Sequence, residues 1–177
     1  MAVPSKYIQS VVKAAKGRPK STDWYRDKIR EFGTPKSLDL IRDGKQSRTP
    51  HFGRLNMFFY DPKGRNTLPY YDTFPLVLPI ERIPGGFAGI NFHYLRPGAR
   101  FTLLQRLERF STRGGEVTSR NSFDVSYNRV KNISLVKNAI KKYLFNHVRS
   151  NFLRIDYDEA ALAVYLPVAQ FKKGSPY

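Results

Sequence analysis

The sequence predicts an α+β fold, a small antiparallel sheet or partly open barrel with a helical insertion and an N-terminal helical arm. Three observations carry that expectation. Apolar residues recur at helical spacing over the first thirty residues, aromatic-rich runs bounded by turn residues fill positions 52 to 94, and a Pro-initiated amphipathic stretch follows at once.

The helical arm comes first. Ile8, Val11, Val12 and Ala15 share one face between Ser5 and Lys16, and Gly17-Arg18-Pro19 stops that helix. Ser21 or Thr22 caps a second helix to about Phe32, with Tyr25, Ile29 and Phe32 as its apolar stripe and Gly33 and Pro35 as its stop. Residues 37–50 are polar and turn-rich, with only Leu38, Leu40 and Ile41 to bury, and read as a connector. The expected organisation is an arm at 1–50, touching its surroundings through Ile8, Val11, Tyr25, Ile29 and Phe32, and a single core domain at 51–177.

The β pattern begins at Phe52. Leu55 to Tyr60 reads as a strand ended by Asp61-Pro62-Lys63-Gly64. Phe74 to Ile80 is apolar, but Pro75 and Pro79 cannot donate ladder hydrogen bonds, which suits an edge or bent strand. Phe87 to Tyr94 is a third strand, in which Gly89 marks a bulge or a close backbone approach. Pro97 opens a helix to about Phe110 that carries Arg100, Arg106, Arg109 and Arg113 along or just beyond it. Gly114-Gly115 lies in a loop, and Phe123 to Val130 alternates like a strand. Ser134 caps a helix to about Val148, with Val136, Ala139, Ile140, Tyr143, Leu144 and His147 inward and Lys137, Lys141 and Lys142 outward. Residues 151–157 and 162–166 read as a closing hairpin around Asp158-Glu159.

Charge narrows the function. The 177 residues hold 31 Lys and Arg against 14 Asp and Glu, a formal charge of +17. Residues 1–50 hold 12 basic and 5 acidic side chains, 51–100 hold 6 and 3, 101–150 hold 10 and 3, and 151–177 hold 3 of each. A field of this size attracts polyanions, so Arg100, Arg106, Arg109, Arg113, Lys137, Lys141, Lys142 and Arg149 are the candidate contacts to nucleic acid or to an acidic protein partner. Such rows track phosphates and read no base sequence. Tyr70, Tyr71, Tyr94 and Trp24 are aromatic enough to stack bases, but sit in runs apolar enough to be core.

Catalytic machinery is thin. His51, His93 and His147 are isolated in sequence, and no HExxH, GK[ST] phosphate loop or GxSxG elbow occurs. The nearest carboxylate groups are Asp72 with Glu81, and Asp156 with Asp158 and Glu159, the latter at an ordinary turn. With no cysteine there are no disulfides and no thiolate cage. No segment has the apolar length of a membrane helix or the apolar core of a signal peptide. The expectation is a soluble protein, not exported by that route, without catalytic residues, metal, cofactor or small-molecule substrate.

The stretch from Met57 to Leu107 reads MFFYDPKG, then LPYYDTFPLV, then GGFAGINFHYL leading into a helix, and it is joined later by KKYLFNHVRSNFL at 141–153 and LPVAQFKK at 166–173. These blocks resemble a family of T4-like tailed-phage virion proteins, usually labelled DNA end protectors, which complete the head and cap the ends of packaged genomes. The resemblance implies a non-enzymatic virion protein, assembled in the bacterial host cytoplasm, whose partners are other phage virion proteins and double-stranded DNA. It leaves residues 1–50 uncovered. A structural subunit of the tail baseplate or neck, binding acidic neighbours, is the alternative.

Overall fold

Residues 7–15, 21–111 and 121–177 are described by a computed structural model. The helices α1 (Tyr7–Ala15), α2 (Thr22–Phe32) and α3 (Ser37–Asp43) precede the first strand, β1 (Lys45–Ser47). The remaining elements are β2 (Leu55–Met57), β3 (Tyr71–Asp72), β4 (Leu76–Ile83), β5 (Gly86–Asn91), α4 (Pro97–Leu107), α5 (Tyr127–Val130), β6 (Ile140–Leu144), β7 (Phe152–Ile155), α6 (Ala160–Tyr165) and β8 (Phe171–Lys172). Six strands form one open antiparallel sheet in the order β1-β7-β2-β4-β5-β6, and β3 pairs with β8 apart from it. The fold is α+β, and the sheet does not close into a barrel.

Alternation along the strands divides the apolar residues between two cores. Leu55, Met57, Leu76, Leu78, Ile90, Leu153 and Ile155 join the helices in the larger one. Val77, Phe87, Tyr143 and Phe152 join Phe58 and Tyr60 in an aromatic cluster. Phe74, Leu76, Leu78, Phe87 and Ile90 are all fully buried. The helical stripes pack into this same chain: Ile8, Val11, Tyr25 and Ile29 belong to the larger core, Phe32 packs against it, and the Tyr25 ring stacks on Tyr165 at 5.6 Å.

Local signals are obeyed where the chain needs no distant partner. Ser21 caps α2, its hydroxyl accepting from the Trp24 amide at 3.2 Å, and Gly33 leaves the helix at φ 82°. Pro97 is in the first turn of α4. Gly89 permits a close approach, because a Cβ there would collide with Val77 Cγ1 and stand 2.9 Å from Leu78 O.

Four expectations fail for tertiary reasons. The polar connector at 37–50 contains α3 and β1, because β7 accepts β1 along its open side. The expected strand at 123–130 is a single bridge from Phe123 to Ser111 followed by α5. The hairpin partner at 162–166 falls within α6 and its cap, since Asp156 and Glu159 form a capping box ahead of the helix-forming run Ala-Ala-Leu-Ala. The helix at 134–148 is a 3-10 turn (Ser134–Val136), strand β6 and a second 3-10 turn (Phe145–His147). There the free side of β5 supplies a ladder from Gly86↔Leu144 to Ile90↔Ile140, which outweighs the helical spacing. Pro75 falls just before β4, and Pro79 marks a bent strand and not an edge, because β4 lies between β2 and β5 and its register shifts between Pro79 and Glu81.

Candidate nucleic-acid interface

Most acidic side chains are already matched within the chain. Asp156 Oδ1 accepts from Arg54 Nη1 at 2.9 Å and lies 2.9 Å from Arg154 Nε, while Lys45 Nζ reaches Asp156 Oδ2 at 2.6 Å and Glu159 Oε1 at 2.7 Å. This network ties β1 to the end of β7 and the start of α6. Asp72, also buried, lies 2.8 Å from His93 Nδ1 and accepts from Asn91 Nδ2 at 3.2 Å and from the Phe74 amide at 3.0 Å. Burial pushes its carboxyl up, but the charge and hydrogen bond of His93 and the two amides prevail and hold its pKa below the usual value. Neither group is an open carboxylate cluster. Among the described residues, no set of three or more His, Asp or Glu is placed to hold a metal.

The opposite condition holds from residue 96 to 149, where the described residues carry ten basic side chains and two acidic ones. The exposed cations are Arg96, Arg106, Arg109, Arg129, Lys131, Lys137, Lys142 and Arg149. All but Lys142 and Arg149 stand on adjoining elements. The 3-10 turn Glu108–Phe110 continues α4, the Asp124 amide donates to Phe110 O at 2.6 Å, and the Arg129 guanidinium lies 5.6 Å over the Phe110 ring. The turn at Ser134–Val136, just before Lys137, packs on α4. Arg106, Arg109, Lys131, Lys137 and Lys142 make no side-chain hydrogen bond or ion pair among the described residues. Arg149 bonds Asn146 O at 2.8 Å and stands 3.8 Å from Asp61.

Two of the residues expected in this row face inward. Arg100 is 3% exposed, with Nε donating to Leu95 O at 2.9 Å and Nη2 to the Tyr177 hydroxyl at 2.8 Å, so it ties the C-terminus to α4. Burial lowers its pKa. Lys141 is half-buried with its ammonium 4.2 Å over the Tyr94 ring, and burial lowers its pKa too. In a helix, Lys141 and Lys142 would share a side; on β6, alternation sends them to opposite faces. Arg113 lies outside the described residues. The aromatics considered for base stacking have partners of their own: Tyr70 and Tyr94 pack around Phe171, Trp24 meets Tyr25 at 5.2 Å, and Tyr71 is half-buried on β3.

The alternation at 123–130 reads as a strand and does not single out Arg129 or its neighbour Lys131, and the helical spacing at 134–148 hides Phe145. The charge count of residues 101–150 already contained the two cations. Nothing in the sequence marked Phe145, which is 45% exposed.

No helix among the described residues is long and apolar enough to cross a membrane. No curated protein matches the chain, and no solved structure does. A family model does, over residues 5–177, and it takes in the N-terminal region that the motif blocks left uncovered. With nearly its whole length matched, the chain belongs to the family described as Phage T4 terminal DNA protecting protein.

Proposed function

We propose that this chain is a non-enzymatic virion protein that binds the ends of packaged duplex DNA and thereby completes the phage head, alongside other virion proteins assembled in the host cytoplasm. The family description supports DNA end protection. The carrying observation is the surplus of positive charge between residues 96 and 149, ten basic side chains against two acidic ones among the described residues. Arg106, Arg109, Lys137, Lys142 and Arg149, with Arg113, take phosphates, and Arg129 and Lys131 extend the same surface. Arg100 serves the fold. Lys141 adds positive potential behind its neighbours. Residues 1–50 act as an extension that clasps the core domain at 51–177 through Ile8, Val11, Tyr25 and Ile29.

Salt titration tests this reading. Neutralising about six phosphates makes log K fall against log salt with a slope of about −5, with no preference among duplex sequences. A flat response, or no binding at low salt, overturns it and favours a structural subunit whose cations meet acidic neighbours.

A further inference from the structure

Phe145 opens the 3-10 turn that follows the edge strand β6, and with 45% of its surface in water it departs from the other twelve phenylalanines of the chain, none of which is among the exposed large apolar residues. The others in that exposed set among the described residues are Leu38, Tyr127 and Tyr177. Leu38 has no π face, Tyr127 keeps a hydroxyl for water, and the Tyr177 hydroxyl is bound to Arg100. Phe145 presents a flat ring with no polar handle.

That ring is held firmly. The Phe145 amide donates to Gly85 O at 2.9 Å, its carbonyl accepts from the Val148 amide at 3.2 Å, and the Arg149 amide closes the turn onto Phe59 O at 2.8 Å. Its ring centroid is 5.9 Å from that of Phe87, which is fully buried and stacks on Tyr143 at 5.4 Å. The aromatic cluster therefore backs the ring, and part of its surface remains open. Exposed Arg149 follows it by four residues, and Arg82, exposed with its guanidinium 4.5 Å over the Phe52 ring, lies on the hairpin whose turn holds the Phe145 amide and is paired in register with Phe87.

Along a duplex every base-pair face is covered by the next pair, and only a terminus offers an open one. An apolar ring on a turn tied down by backbone hydrogen bonds, with Arg149 close to it in the chain and Arg82 on the neighbouring hairpin, matches that surface. We propose that Phe145 stacks on the terminal base pair of duplex DNA while Arg149 and Arg82 contact the phosphates of its last nucleotides. This rests on the reading of the chain as a DNA-end-binding protein and adds what distinguishes an end from internal duplex.

The test uses the full chain and a short blunt-ended labelled duplex, competed with either blunt linear fragments or relaxed closed circular DNA of the same sequence and base-pair mass. The wild type should be displaced about tenfold more effectively by the linear fragments, an advantage of the size that one stacked base supplies. Phe145→Ala and Phe145→Leu should abolish that advantage while leaving displacement by circular DNA unchanged, and Phe145→Trp should keep it. Phe145→Leu retains an apolar contact to Phe87, so unchanged thermal unfolding in that variant separates lost stacking from lost folding. Equal displacement by both competitors in the wild type, or an undiminished advantage in Phe145→Leu, overturns the stacking role while general DNA binding stands. Failure of the wild type to bind the labelled duplex overturns the DNA-binding reading as well.

Discussion

Residues 21–43 and residues 96–149 both carry many charges, and they dispose of them in opposite ways. In the first region each acid has a base one turn or less away: Asp23 with Arg26 at 3.8 Å, Asp27 with Arg30 at 3.6 Å, Glu31 with Lys28 at 2.6 Å, and Asp39 and Asp43 both with Arg42 at 2.9 Å. In the second, ten basic side chains meet two acids among the described residues, and most stand in water without a partner. Two regions of similar basic content thus differ in what they offer another molecule. The local field depends on arrangement, and charges neutralised one turn away project little beyond a Debye length of about 8 Å at physiological salt. A count of lysines and arginines over residues 21–43 therefore overstates the attraction of that part for a polyanion.

The comparison breaks first at the matched carboxylate Asp156. Asp156→Ala leaves Lys45, Arg54 and Arg154 without their shared partner and removes half of a capping box, so denaturant unfolding should show a loss of about 3 kcal/mol. DNA affinity, compared at a temperature where the variant is folded, should be unchanged, because none of these groups belongs to the unmatched surface. A variant of wild-type stability would show that the network carries no weight in the fold.

A second substitution set should do the reverse. Reversing Arg106, Lys137 and Lys142 to Glu removes three exposed cations with no internal partner, so thermal unfolding should hardly move while the salt slope becomes shallower by about 2.7. An unaltered slope would place the DNA contacts elsewhere on the molecule. Lys141 is left out of the set, because its ammonium is engaged over Tyr94 and its reversal would report on packing as much as on phosphate contact.

The smallest effect belongs to the exposed pairs of α2. Asp27→Ala frees Arg30 on a fully wetted helix face, and the stability change should stay below about 0.5 kcal/mol. Its value lies in DNA binding. If region two alone binds, one newly unmatched cation on α2 leaves the salt slope where it was, whereas a steeper slope would bring the N-terminal helices into the interface.

Part of this was legible without coordinates. The charge surplus, the absence of a metal motif and the block from Met57 to Leu107 pointed to a DNA-associated phage protein, and the matched family agrees as far as DNA end protection. The arginines of α4 were assigned to the correct element, but Arg100 could not be set apart from Arg106, since both lie on a helix of mixed polarity and only the positions of Leu95 and Tyr177 draw one of them inward. Phe145 was invisible as a surface residue for the same kind of reason: its exposure depends on how β6 ends against the Gly85 turn.

What the sequence determined by itself is the set of features whose energetics close within a few residues. The Ser21 cap and Gly33 stop of α2 and the Pro97 start of α4 each satisfy or release backbone groups of their immediate neighbours, so no distant contact needs to be known. The tertiary structure decided the state of residues 134–148, whose apolar spacing fits a helix as well as it fits a strand between two turns. Along β5 a whole edge of donors and acceptors stood open, and pairing with β6 satisfied it and buried Tyr143 in the aromatic cluster. Such a choice depends on a partner some fifty residues away in the chain, as the Gly89↔Lys141 pair illustrates, and no local propensity encodes it.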